Sequence, residues 1–331
     1  MKQLALIGAG RIGKVHALAI ESIRDVKISH VCDVHQPSAE ALAKQCNATV
    51  TDLDTVFSDQ NVDAVIIASA TDTHTPMLKR CAEAGKPVFC EKPLDLSLAT
   101  ARQAASVIEA SGILCGMGFN RRFDPQFSKL KQRVAAGDIG TLETLIVISR
   151  DPAPPPIDYI NVSGGLFRDM MIHDFDIARW ILDEPIESLY ATGSCLVDNA
   201  IAGAGDIDTA SVTMRTASGK IALITNSRRA VYGYDQRIEA FGSNGMLQAM
   251  NNSETNLVHS GEHGVTHEVP LHFFLERYEA AYRNELIDFV NALQNNTAPL
   301  ANHHDGVASL QLAEAANASL ASGASVDVNQ F

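Results

Sequence analysis

The stretch "QLALIGAGRIG", residues 3 to 13, decides the reading of the fold. A short β-prone apolar run ends in the pattern G-x-G-x-x-G, formed by Gly8, Gly10 and Gly13, and a segment with helical apolar spacing follows. In that strand–turn–helix setting Gly8 permits the tight turn, Gly10 lets backbone approach a pyrophosphate, and Gly13 allows close helix packing. The helix N-terminus then faces the anion, with Arg11 and Ile12 completing the turn. Asp33 stands at the end of the next β-like run, where a carboxylate accepts hydrogen bonds from ribose hydroxyls. This is a dinucleotide site. A carboxylate there repels a 2′-phosphate, so NAD is favoured over NADP; Arg11 could reach such a phosphate or stack on adenine, which keeps NADP as the less favoured cofactor.

The same alternation continues outward. "ISHVCDV", "AVIIASA", "PVFCEKP" and "LCGMGF" are each separated by helix-like stretches, from about Ser38, from His74, and over "SLATARQAASVIEASG". Strict alternation implies parallel strands with both sheet faces covered, a Rossmann dinucleotide-binding domain over residues 1–120. After Asn120 longer β-like runs follow one another ("TLETLIVISR", "ESLYATGSCLV", "DTASVTMRT", "KIALITNSRR", "RIEAFGS") with turn signals between several. Residues 121–331 therefore read as an α+β domain with a large open, mostly antiparallel sheet. Helices are expected at about 170–182, 273–293 and 305–321, and "DPAPPP" at 151–156 as a stiff extended connection.

With 331 residues, 46% of them apolar, the chain can bury the cores of two domains. Its formal charge of −13 argues against nucleic-acid or anionic-membrane partners, and no apolar run approaches the length of a bilayer span. The six cysteines lack any C-x-x-C spacing and read as reduced thiols of a cytoplasmic protein. Small molecules are the expected partners. An open sheet with apolar alternation also predicts self-association.

Two stretches carry reactive groups. "CEKPL" places Glu91 and Lys92 at the carboxyl end of a parallel strand, where open α/β sheets bind ligands, although a surface lysine starting a helix has the same look. "GGLFRDMMIHDFDIARW", residues 164–180, sets Asp169 and His173 four apart beside Asp174 and Asp176. Such a group can be a catalytic pair, a metal site or a wet helix face. Metal is disfavoured because no further His or Cys cluster of ligand spacing lies nearby, and Asp174 and Asp176 suit a solvated or locally capping role.

"GAGRIG", "EKPL", "GFNRRFDP" and "GGLFRDMMIHDFDIARW", in this order and over essentially the whole chain, resemble the Gfo/Idh/MocA oxidoreductases. "SRDPAPPP" followed by "GGLFRDMMIHDFD" looks most like the members that oxidise myo-inositol to its 2-ketone with NAD. The resemblance implies a catalytic lysine at Lys92, an orienting acid at Asp169 and a proton acceptor at His173. It implies a polyol pocket lined by Lys92, Asn120, Arg121, Asp151, Asp169, His173 and one of Tyr232 and Tyr234, with Tyr234 preferred. Glu91, and Ser69 and His74 of "SATDTHTP", fall on segments beside the nicotinamide and its ribose. Tetramers are implied as well.

These residue types suit alcohol oxidation. Removal of a hydride from carbon requires a base within hydrogen-bond reach of the hydroxyl, and an imidazole of pKa about 6.5 is mostly neutral at cellular pH yet able to hold a proton. On one continuous helix, Asp169 would share a face with His173 and fix its tautomer. Lys92 would add positive charge where alkoxide character develops. Arg121 or Arg122 could instead grip the carboxylate of a sugar acid, so scyllo- or chiro-inositol, an aldose or a sugar acid stay open as substrates, and a non-catalytic NAD-binding regulator is the reading from another class.

Overall fold

The computed structural model describes all 331 residues and divides them into two compact units, one of Met1–Phe123 with Ala280–Leu310 and one of Asp124–Glu279 with Gln311–Phe331. The first runs β1 (Lys2–Ile7), α1 (Arg11–Glu21), β2 (Val26–Cys32), α2 (Gln36–Cys46), β3 (Thr49–Val50), α3 (Leu53–Ser58), β4 (Ala64–Ile67), α4 (His74–Glu83), β5 (Val88–Cys90), α5 (Leu98–Ser111) and β6 (Cys115–Met117). Its six strands lie in the order β3-β2-β1-β4-β5-β6, all parallel. The order reverses between β1 and β4, so the glycine-rich turn after β1 opens at the switch point where such sheets take ligands.

The second unit contains α6 (Pro125–Ala135), β7 (Leu142–Arg150), α7 (Ile157–Ser163), α8 (Leu166–Asp169), α9 (Ile172–Leu182), β8 (Ile186–Ser194), α10 (Asn199–Gly203), β9 (Thr209–Thr216), β10 (Ile221–Ser227), β11 (Asp235–Gly242), β12 (Gly245–Ala249), the hairpin β13 (Val258–Gly261) and β14 (Gly264–His267), and α11 (Phe274–Arg277). Then come α12 (Glu279–Asn295), α13 (His303–Ser322) and β15 (Val326–Asp327). Seven strands form the sheet β12-β11-β7-β10-β9-β8-β15, antiparallel except for the β7–β10 pair.

Two expectations are corrected. Residues 121–331 do not form one body: α12 from Ala280 onward returns to the first unit, where Leu286, Phe289 and Val290 are buried with Leu4, Leu6, Val31, Ile66 and Phe89. The rings of Phe89 and Phe289 meet edge-on at 5.6 Å. Helical spacing announces an apolar face but not the core that receives it. Second, the single helix expected over 170–182 starts later, at Ile172, and is preceded by the separate turn α8. The short helices α6, α7 and α10, each under four turns, were hidden by the turn-forming residues around them.

Candidate active site

The glycine turn is built as its sequence demands. Gly8 has φ +104°, and a Cβ on it would overlap the backbone of Ala68 and Ser69. A Cβ on Gly13 would overlap the Gly8 carbonyl oxygen, whereas Gly10 has open space around it. The turn is thus crowded from within and open at the one glycine that a pyrophosphate would approach. Arg11 starts α1 on the exposed side, and Ile12 and Gly13 follow in its first turn. Asp33 accepts the Ala9 N–H on Oδ2 at 2.6 Å and the His35 N–H on Oδ1 at 2.7 Å, so the carboxylate just beyond β2 is fixed against the turn. These residues fit a dinucleotide.

Beyond β4, Ser69 shares a 2.6 Å hydrogen bond with Thr73, and His74, 1% exposed, lies between two carbonyls, Pro93 O at 2.7 Å from Nδ1 and Ser69 O at 3.1 Å from Nε2. Burial pushes the His74 imidazole below its ordinary pKa, with Lys92 adding to the effect and the two carbonyls opposing it. His74 therefore ties the Ser69 loop to the segment after Lys92. Glu91 and Lys92 follow β5 as expected; Lys92 is half-buried, while the Glu91 carboxylate turns inward to the Nε2–H of His16 at 2.6 Å. Asn120 and Arg121 are both 3% exposed in a single turn after β6. Arg122 is committed to Asp305 at 2.7 Å and to the Leu300 carbonyl at 2.9 Å.

In the second unit Asp169 closes α8 and His173 is the second residue of α9. The two lie on either side of a break, not four apart on one uninterrupted helix. Asp169 accepts the Tyr159 hydroxyl on Oδ1 at 2.8 Å, and its Oδ2 lies 3.5 Å from Nη1 of Arg228. Arg228, 1% exposed, also faces Asp206 at 3.6 Å, and Asp206 in turn accepts the Leu166 N–H at the start of α8 at 3.0 Å. One buried guanidinium thus faces the carboxylates that begin and end α8. Arg228 is itself held by its own N–H on the Asp208 carbonyl at 2.9 Å. The Asp208 carboxyl lies at about 2: burial would raise it, but N–H groups of Leu196, Asp198 and Val197 and the Cys195 thiol donate to it.

The expected wet face is not wet. Asp174 and Asp176 are both 0% exposed, and Asp174 accepts Ser149 Oγ at 2.5 Å and Asn226 Nδ2 at 3.0 Å. Ser149 and Asn226 are register partners in the parallel β7–β10 pair, so Asp174 fastens α9, and with it His173, onto the middle of the sheet. Tyr234 is buried against the Tyr278 ring at 5.9 Å, while Tyr232 is exposed and gives its hydroxyl to Asp235 at 2.6 Å. Asp151 follows β7, its N–H on the Ser227 carbonyl at 3.0 Å. Tyr159, Arg228, Ser149 and Asn226 escaped the sequence reading; the one signal for the last two is a polar residue at an inward position of an otherwise apolar strand.

Comparison with known proteins agrees with this architecture. Residues 2–119 match the oxidoreductase family model with an NAD-binding Rossmann fold, and residues 127–248 match the GFO/IDH/MocA C-terminal domain. The chain is 45% identical to inositol 2-dehydrogenase of Rhizobium meliloti, over 96% of this chain and 97% of that protein. It is 44% identical to myo-inositol 2-dehydrogenase of Thermotoga maritima, over 99% of both. A solved scyllo-inositol dehydrogenase from Lactobacillus casei with bound NAD(H) and scyllo-inositol superposes with a TM-score of 0.92 at 28% identity, covering 99% of each chain.

Proposed function

Because the chain belongs to the Gfo/Idh/MocA oxidoreductases, a family with an NAD-binding Rossmann domain, we propose that it oxidises myo-inositol at a ring hydroxyl to the 2-ketone with NAD. The observation that carries this reading is the placement of Asp169 and His173 on adjoining turns, with Asp169 facing the buried Arg228 and the His173 helix fastened to the sheet through Asp174. The glycine turn and Asp33 would hold NAD, whose nicotinamide would supply the hydride acceptor. His173 takes the hydroxyl proton as general base. Asp169, backed by the Arg228 charge, favours the imidazolium that results and orients the ring. Lys92, at the carboxyl end of β5, brings positive charge to the oxygen as it becomes alkoxide-like. Asn120, Arg121, Asp151 and Tyr234 are the further candidates for contact with the hydroxyls of the polyol. Arg122, already held by Asp305, is not the grip for a sugar acid's carboxylate.

The test is NAD reduction with myo-inositol against scyllo- and chiro-inositol, D-glucose and a sugar acid. Preference for myo-inositol supports the reading; a preference for an aldose or a sugar acid, or no reduction with any of them, overturns it.

A cytoplasmic homotetramer is part of the same proposal. Ile221 and Leu223 of β10, Tyr190 of β8, Phe241 of β11 and Met246 of β12 fall on one sheet face by register, each at least 38% exposed. An apolar face of that extent calls for cover. No helix is long and apolar enough to cross a membrane. Light scattering that returned a monomer would overturn the assembly.

A further inference from the structure

Behind Lys92 lies a group that the proposed chemistry leaves unused. His16 of α1, Glu91 after β5 and Glu285 of α12, all in the first unit, bring one nitrogen and two carboxylate oxygens within 4.8 Å of one another. They are 0%, 9% and 1% exposed. His16 stands edge-on to Phe89 at 5.3 Å and to Tyr282 at 6.0 Å, so the walls are aromatic. Glu91 Oε1 takes the His16 Nε2–H, its Oε2 lies 3.3 Å from the backbone N–H of Lys92, and a Cβ on Gly118 would press on the same carboxylate. Both oxygens of Glu285 and Nδ1 of His16 have no hydrogen-bond partner.

Two carboxylates at this separation in a dry pocket cannot both stay ionised without a cation or a proton between them. A shared divalent ion would hold its nitrogen and oxygen donors apart at about 3 Å or more, given metal–ligand bonds of about 2.0–2.1 Å. His16 and Glu91 are at 2.6 Å, a hydrogen-bond distance. The geometry points to a proton.

We propose that Glu285 is a positioning residue for Lys92: as a neutral acid it sets a polar group and not a second negative charge beside the Glu91–His16 pair, so that the Glu91 carboxylate stays on His16 and beneath the peptide that carries the lysine. Burial, with Glu91 adding to it, pushes the Glu285 carboxyl well above the ordinary carboxylate range. The charged or titratable groups facing it are His16 and Glu91, with Lys92 next to Glu91 in the chain. The role rests on Lys92 acting in the reaction, but the protonation state does not.

The test joins spectroscopy to kinetics on the full-length protein. At neutral pH the wild type is expected to show an infrared C=O stretch of a protonated carboxyl that is missing in Glu285→Gln. Glu285→Gln, the neutral isostere, is expected to keep kcat within about threefold, and Glu285→Leu to lose about tenfold in kcat with the KM for NAD within about twofold. Absence of the band, stoichiometric metal in the purified protein, or equal kcat in the Gln and Leu variants overturns the proposal. Should Glu285→Leu not fold, the infrared comparison of wild type with Glu285→Gln still decides. Full turnover in Lys92→Ala would refute the lysine's role and leave the infrared band untouched, so the two failures are distinguishable.

Discussion

Asp33 and Ala9 are joined by a 2.6 Å hydrogen bond from the Ala9 N–H to the carboxylate, which makes the end of β2 and the glycine turn one structural piece. The residue that should select the cofactor therefore also shapes its cradle. Asp33→Ser is expected to lower the NAD over NADP preference by about tenfold or more. Asp33→Asn keeps an acceptor for Ala9 and removes only the charge, so it separates the two roles. Unchanged selectivity of kcat/KM in both variants would refute the assignment.

The three glycines should fail in different ways. Gly13→Ala forces a methyl group onto the Gly8 carbonyl and is expected to lower the melting temperature. Gly10→Ala meets nothing in the protein; it should fold normally and weaken NAD binding on the order of tenfold, through contact with the ligand alone. Calorimetry for NAD and thermal unfolding check the pair.

His173→Ala is expected to lose orders of magnitude in kcat while binding NAD normally, and Asp169→Asn to lose less. The double variant should be little worse than His173→Ala, because the two residues act as a unit.

Asp174→Ala should leave Ser149 and Asn226 facing a dry gap, costing about 2–3 kcal/mol of stability by denaturant unfolding. Wild-type stability in that variant would show that α9 is held by its apolar face alone.

Acid stability has a definite source in Asp208, whose carboxyl is depressed from an ordinary 3.8 to about 2. A group depressed on folding gives its full stabilisation above the ordinary value and loses it as the pH falls toward the folded one. Asp208→Asn should therefore melt earlier than wild type at neutral pH, with the gap closing between about pH 4 and about pH 2.

What the sequence revealed follows from how far each determinant acts. The glycine turn, Asp33 and the parallel alternation were legible because neighbouring residues dictate them. The break between α8 and α9 was not, because the apolar spacing runs through Met170 and Met171 without a glycine or proline to mark it. Burial of Asp174 was equally hidden: a carboxylate in a first helical turn looks solvated, and its partners come from positions 25 and 52 residues distant. The burial of Tyr234 beside the exposed Tyr232 was hidden as well, because both stand in the turn before β11 and the ring that covers Tyr234, Tyr278, is 44 residues distant.

The return of α12 to the first unit bears on the order in which the protein can be made. Leu286, Phe289 and Val290 fill the same core as β1 and β4, so a fragment ending at Phe123 exposes an apolar floor on its sheet. The cofactor-binding half, although all its strands lie before Asn120, is completed only when Ala280–Leu310 leave the ribosome. Until then the nascent protein holds an unfinished nucleotide fold, while the larger segment of the second unit, Asp124–Glu279, is already made before the first unit can close.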